Sequence, residues 1–231
     1  MTIQTITPYY PRVPATFPAK SPEGLEMSLA HAQLRRVEAK EFLFAEGDPI
    51  THVYRIATGA IALYKVLADG RRQVMGFAYP GDIVGLGVDE EYTINAQAVK
   101  PTRVRCLAIG SLRQFAAADP AFGFKLYEAI AKELAATRDL MLTTGQRSAM
   151  ERVSGFLLAF SRRNQRHGKD PAAFELPMTR TDIGDFLGLT IETVSRTFTK
   201  LKQMHLIELA HSTEVRLTNI GELKRLADGG H

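Results

Sequence analysis

The sequence predicts an α+β protein: a jelly-roll-like N-terminal β-roll, a long helix, and a C-terminal winged helix-turn-helix. Three observations carry this. Between residues 40 and 110, short apolar runs alternate with turn residues, and Gly47, Gly59, Gly70 and Gly81 recur at steps of 12, 11 and 11 residues. Farther on, Tyr127, Ile130, Leu134, Thr137, Met141 and Thr144 step by three and four, a heptad-like seam. Finally, Leu176–Ile207 holds two short amphipathic segments either side of a glycine.

The first 25 residues carry Pro8, Pro11, Pro14, Pro18 and Pro22, which oppose helix and central strand and predict an extended arm. Met1–Lys20 lacks a basic stretch leading into an apolar one, and no apolar run reaches the ~18 residues of a membrane helix. A cytoplasmic protein without membrane contact is expected. The β-roll is assigned to residues 26–118. Asp69-Gly70 lies between the strand-like runs Ala60–Val66 and Gln73–Tyr79 and predicts a hairpin, and Pro80-Gly81-Asp82 predicts another corner. Cys106 is the one cysteine, so neither an internal disulfide nor a multi-cysteine metal cage is available. Its strand-like setting predicts a buried structural thiol rather than a redox sensor.

A long helix is assigned to residues 119–146, with Asp119 as N-cap and Pro120 in its first turn. Its seam can pack on the β-roll or pair with a second copy; in the second case Tyr127, Ile130, Leu134, Thr137 and Met141 form a dimer interface. The last unit, residues 147–231, opens with a helix over 147–165 whose apolar face is Met150, Val153, Phe156, Leu157 and Phe160. A polar loop with Gly168 follows. This unit holds 13 Lys+Arg against 10 Asp+Glu, most of the whole chain's net charge of +4. Such a balance permits nucleic acid as a partner without requiring it.

Thr179 predicts an N-cap, with Asp182 three residues on, and Ile183, Phe186 and Leu187 give that helix an apolar face. Gly188 ends it, and Thr190 caps a second helix over 191–204 whose apolar face is Val194, Phe198, Leu201 and Met204. Glu192, Ser195 and Arg196 stand at i, i+3 and i+4 on the opposite face. A recognition helix inserts this end into the major groove. There Arg can bond the O6 and N7 of guanine, Glu can accept from the cytosine amine, and Ser can reach several base edges. Ile191 beside them can touch a thymine methyl or pack. Glu192 and Arg196 can also pair with each other. Hydroxyls and amides around Thr190 and Thr193 suit phosphate. Strands over Leu206–Leu209 and Glu214–Leu217, around a His211-Ser212-Thr213 turn, would form the wing. Asn219 then caps a last helix, Ile220–Ala227.

These stretches resemble a known family. Met178–Arg196, MTRTDIGDFLGLTIETVSR, with Lys200-Leu201-Lys202 after it, is similar to the helix-turn-helix of the Crp/Fnr superfamily. Phe44–Asp48, Thr58-Gly59, Leu67–Val74 and Pro80–Gly85 resemble its β-roll, the cyclic-nucleotide-binding-domain fold. Within that superfamily the motifs are most like those of the FixK-type group. The resemblance implies a homodimeric transcription regulator, mostly an activator, that recruits RNA polymerase to double-stranded DNA. It implies base contacts from Glu192, Ser195 and Arg196 to a palindrome with TTGA-like half-sites. Thr179, Arg180, Thr190 and Thr193 would contact phosphates.

The effector classes of the family divide on particular residues. Its cyclic-AMP receptors carry an Arg-Ser pair and a Glu, where this chain has Ile94, Asn95 and Leu86, so a cyclic phosphate lacks its charged partner. One cysteine fails the four-cysteine count of an iron–sulfur sensor. His52 with Cys106 as haem ligands is the weaker alternative to a satisfied histidine. No cofactor is expected, and FixK-type proteins act without a small-molecule effector. The alternative is a regulator gated by a metabolite in the β-roll. An enzyme is not expected: the six histidines form no metal-ligand pairing, and no nucleophile-elbow, P-loop or dinucleotide motif occurs.

Overall fold

The computed structural model describes residues 32–87, 90–118, 124, 127, 130–131, 147–210 and 213–230. They fall into two compact units, 32–131 and 147–230. The predicted arm, Asp119, Pro120, Leu134, Thr137, Met141 and Thr144 lie outside the described residues.

The first unit contains β1 (Gln33–Val37), β2 (Phe42–Phe44), β3 (His52–Val66), β4 (Arg72–Ala78), β5 (Ile83–Val84), β6 (Asn95–Ala108) and α1 (Ile109–Ala118). Its antiparallel sheet runs β1-β6-β3-β4, with β2 also on β6 and β5 on β3. Alternation along β3 and β6 sends Tyr54, Ile56, Ala96 and Val104 inward, where they meet Val37, Phe44, Val84 and Tyr92. Phe44 stacks on Tyr92 at 3.8 Å between ring centroids. Cys106 packs half-buried against this cluster, and burial pushes its thiol pKa up. On the other face, Leu112 of α1 packs on Val53 and Leu107.

The Asp69-Gly70 hairpin forms as predicted between β3 and β4. Gly70 adopts φ +83°, and the Leu67 amide donates to the Arg71 carbonyl at 2.8 Å. Gly59 differs from its expected turn. It sits inside the continuous strand β3 at φ +92°, where the register with β6 shifts around Thr58 and Ala60. A Cβ there would lie 2.6 Å from the Thr102 Cα, so the glycine marks a bulge pressed against β6 rather than a corner. The segment over 109–118, within the range assigned to the β-roll domain, is the helix α1. Phe124, Tyr127 and Ile130 are helical, and each is more than half exposed.

The second unit contains α2 (Ala149–Arg166), β7 (Ala173–Glu175), α3 (Arg180–Leu187), α4 (Ile191–Gln203), β8 (Ile207–Ala210), β9 (Glu214–Leu217) and α5 (Ile220–Ala227). Ser148 caps α2 in a reciprocal box with Glu151, and Asn219 caps α5. The strands form a small antiparallel sheet, β7-β9-β8. Val153, Phe156, Leu157 and Phe160 of α2 are buried. A run of rings from Phe186 through Phe156 and Phe160 to Phe174 joins α3, α2 and β7, with centroids 5.2–6.0 Å apart. Strand β7 was not predicted, because three residues are too few for a pattern. Strand β8 begins one residue later than expected.

Candidate nucleic-acid interface

Helix α3 starts where the sequence places it. The Thr179 hydroxyl accepts from the Asp182 amide at 3.1 Å and donates to the Asp182 carboxylate at 2.7 Å; that carboxylate also accepts from the Thr179 amide at 2.9 Å. At the other end, Gly188 takes the left-handed conformation, φ +65°, and turns the chain toward Thr190. Tightness of the turn depends on Gly184 in mid-helix. Its carbonyl accepts from the amides of Gly188 and, at 2.9 Å, of Leu189. A Cβ on Gly184 would lie 2.6 Å from the Leu189 carbonyl oxygen. Glycine in a helix interior costs about 1 kcal/mol relative to alanine, so a close backbone approach accounts for it here.

Helix α4 begins with the Thr190 hydroxyl accepting from the Thr193 amide at 3.2 Å. Val194, Thr197, Phe198 and Leu201 are buried toward the rest of the unit. Met204 is a correction: the helix ends at Gln203, and Met204 is its C-cap, 40% exposed. The fourth buried position falls to Thr197, whose hydroxyl donates to the Thr193 carbonyl at 2.7 Å and so enters the core without an unpaired polar group.

The opposite face brings the expected base-reading residues together. Ile191, Glu192, Ser195 and Arg196 are all exposed, in one patch at the N-terminal end of α4. The Glu192–Arg196 ion pair that the spacing allows is not formed among the described residues. The Glu192 carboxylate lies instead beside its own backbone amide and the Thr190 hydroxyl. These groups, with a smaller attraction from Arg196, hold its pKa below the usual carboxylate range.

The four expected phosphate-contact residues occupy two settings. Thr179 stands at the N-terminus of α3 and Thr190 and Thr193 at that of α4, with their hydroxyls engaged in local hydrogen bonds there. Arg180 is half-buried, its guanidinium 3.4 Å from the centroid of the Phe198 ring. Burial lowers its pKa to about 10, so it stays charged at neutral pH. Sequence reasoning missed two residues that hold this arrangement. Gly184 was detectable, as a glycine inside a helical pattern. Arg152, which reaches from α2 to the end of α3, was not, because its partners are backbone carbonyls 35 and 36 residues away.

Comparison with known proteins agrees with this geometry. Residues 151–226 match the Crp-like helix-turn-helix domain, and residues 34–119 match the cyclic nucleotide-binding domain. The chain is 42% identical to the transcriptional activatory protein AadR of Rhodopseudomonas palustris, over 76% of this chain and 74% of that protein. It is 39% identical to the nitrogen fixation regulation protein FixK of Bradyrhizobium diazoefficiens, over 80% of this chain and 81% of that one. The solved structure of FixK2 from Bradyrhizobium japonicum superposes with a TM-score of 0.80 at 37% identity, covering 84% of this chain and 96% of that one.

Proposed function

The chain belongs to the Crp/Fnr family of transcription regulators, with FixK-type activators among its relatives, and on that premise we propose how it selects DNA. It acts in the cytoplasm as a homodimer on palindromic double-stranded DNA with TTGA-type half-sites and recruits RNA polymerase. Glu192, Ser195 and Arg196 read base edges from α4, and Ile191 contacts a thymine methyl. Arg196 bonds a guanine, and Glu192, held ionised, accepts from a cytosine amine. Thr179, Arg180, Thr190 and Thr193 face phosphates. The observation that carries this reading is the exposed patch of Ile191, Glu192, Ser195 and Arg196 at the start of a helix whose other face is buried.

Tyr127 and Ile130, helical, exposed and one turn apart, support pairing of two copies along the helix that the sequence assigns to residues 119–146, whose sequence pattern carries Leu134, Thr137 and Met141 at the following seam positions. Two-fold symmetry then sets the half-site centres about 10–10.5 bp apart. DNA binding needs no small-molecule effector. Where cyclic-AMP receptors of the family hold the nucleotide, Leu86 and Ile94 pack against the apolar clusters of the β-roll, and the Asn95 side-chain oxygen accepts from the Glu46 amide at 3.1 Å. The test is a titration of the ligand-free protein against a TTGA-type palindrome and a scrambled duplex at fixed, near-physiological salt. One dimer bound tightly to the palindrome alone is expected. Equal binding to both duplexes would overturn the reading. Selective binding that appears only after a metabolite is added would replace it with a ligand-gated regulator.

A further inference from the structure

Thr199 lies outside the reading set above, yet it stands on the same face of α4. It follows Glu192 by seven residues, Ser195 by four and Arg196 by three. At 3.6 residues per turn, its direction from the helix axis falls between those of Ser195 and Arg196, and about 20° from that of Glu192. At a rise of 1.5 Å per residue it stands about 10 Å along the axis from Glu192 and about 4.5 Å from Arg196. Thr199 is exposed, but its hydroxyl is turned back on the helix and donates to the Ser195 carbonyl at 3.0 Å. Thr197 makes the equivalent bond, to the Thr193 carbonyl, but there burial requires it. At Thr199 water serves the hydroxyl equally well, and the effect of the bond is to leave the methyl group as the outward part of the side chain. Among the described residues the Ser195 hydroxyl makes no such bond. One face of α4 therefore offers a hydroxyl at one turn and a methyl group at the next.

The geometry points to Thr199 as a further specificity-determining residue, one that reads a thymine through its C5 methyl group. The inference rests on the reading above, in which the exposed face of α4 enters the major groove. A threonine methyl makes an apolar contact with the thymine methyl, the one apolar group that distinguishes a base pair in that groove. A phosphate offers nothing to a methyl group, so the orientation of Thr199 favours a base over the backbone. The rest of this stretch is compatible with a groove. After Glu192 the helix carries no acidic residue, and the exposed Lys200 and Lys202 project to either side of Thr199, where they suit the phosphates that border the bases. Ile191, the other residue read as touching a thymine methyl, stands eight residues earlier, about 12 Å along the axis. The two residues therefore meet different thymines.

The experiment titrates full-length wild type, Thr199→Ser and Thr199→Val, at fixed salt, against the TTGA-type palindrome and a series of its derivatives. In each derivative one thymine, at the same place in both half-sites, is replaced by deoxyuridine, which removes the C5 methyl and leaves base pairing intact. Serine keeps the hydroxyl and lacks the methyl; valine keeps the methyl and lacks the hydroxyl. Both substitutions fall at an exposed position, where the effect on folding is small. Burial of one methyl group corresponds to about fourfold in affinity. For wild type, deoxyuridine at the thymine facing Thr199 should therefore weaken binding by about fourfold per half-site. Thr199→Ser should abolish the penalty at that thymine alone, and Thr199→Val should keep it. A serine variant with every deoxyuridine penalty as in wild type would overturn the inference, whether or not its affinity falls uniformly; a uniform fall would place Thr199 against the backbone. A valine variant that loses the penalty would overturn it too, by assigning the contact to the hydroxyl. A wild type that selects the palindrome but shows no deoxyuridine penalty would refute this inference and leave the reading by Glu192, Ser195 and Arg196 standing, whereas one that does not select the palindrome would refute the reading beneath it.

Discussion

Replacing Gly184 with alanine places a methyl group 2.6 Å from the Leu189 carbonyl oxygen, where ordinary contact begins near 3.4 Å. The obstacle is backbone on both sides, so relief needs the α3–α4 turn to open by about 0.8 Å rather than a side chain to rotate. Overpacking of this kind costs roughly 1–3 kcal/mol. Opening the turn also stretches the bond from the Leu189 amide to the Gly184 carbonyl, now 2.9 Å, worth about 0.5–1.5 kcal/mol. Against this, alanine gains about 1 kcal/mol of helix propensity. The net expectation is a destabilisation of about 1–3 kcal/mol, with α4 displaced relative to α3. Gly221, near the start of α5, is the control: a Cβ there meets only the Asn219 side-chain oxygen, at 3.7 Å. Gly221→Ala should leave stability unchanged or raise it by up to about 1 kcal/mol. Urea unfolding of both variants, with amide exchange across α3 and α4, measures the difference. A Gly184→Ala protein as stable as Gly221→Ala, with unchanged exchange at Leu189, would refute the argument that close approach dictates this glycine.

Other expectations concern reading, charge and the thiol. Arg196→Ala should cost roughly 1–3 kcal/mol of discrimination at one base pair, seen by titrating matched and mismatched duplexes; undiminished discrimination would remove Arg196 from the reading set. Arg180→Met should weaken binding to every sequence about equally, and it should also lower stability, because the guanidinium lies on the Phe198 ring. Glu192 has a lowered folded pKa, so any stability it contributes is present above its unfolded value and is lost as pH falls through the folded one. Its base preference should therefore stay flat from about pH 8 to about pH 5.5, and a loss near pH 6 in binding titrations would contradict its ionised state. Cys106, with its thiol pKa raised by burial, should alkylate far more slowly at neutral pH than a small free thiol, as mass spectrometry of timed samples would show.

The chain's own pattern was enough for the features that depend on neighbouring residues. Thr179, Asp182, Gly188, Thr190 and Asn219 stand where helices begin and end, because caps and left-handed turns are satisfied by atoms a few residues away. The Asp69-Gly70 hairpin was legible for the same reason, and so was the exposed face of Glu192, Ser195 and Arg196, which follows from helical periodicity alone. Tertiary structure decided the rest. It made Gly59 a bulge against Thr102, put Thr197 rather than Met204 in the buried face of α4, and laid Arg180 on Phe198. It also brought Arg152 to the carbonyls of Leu187 and Gly188. Each of these outcomes depends on the distance between atoms far apart in the chain, and a linear pattern holds no information about that distance until the core has closed.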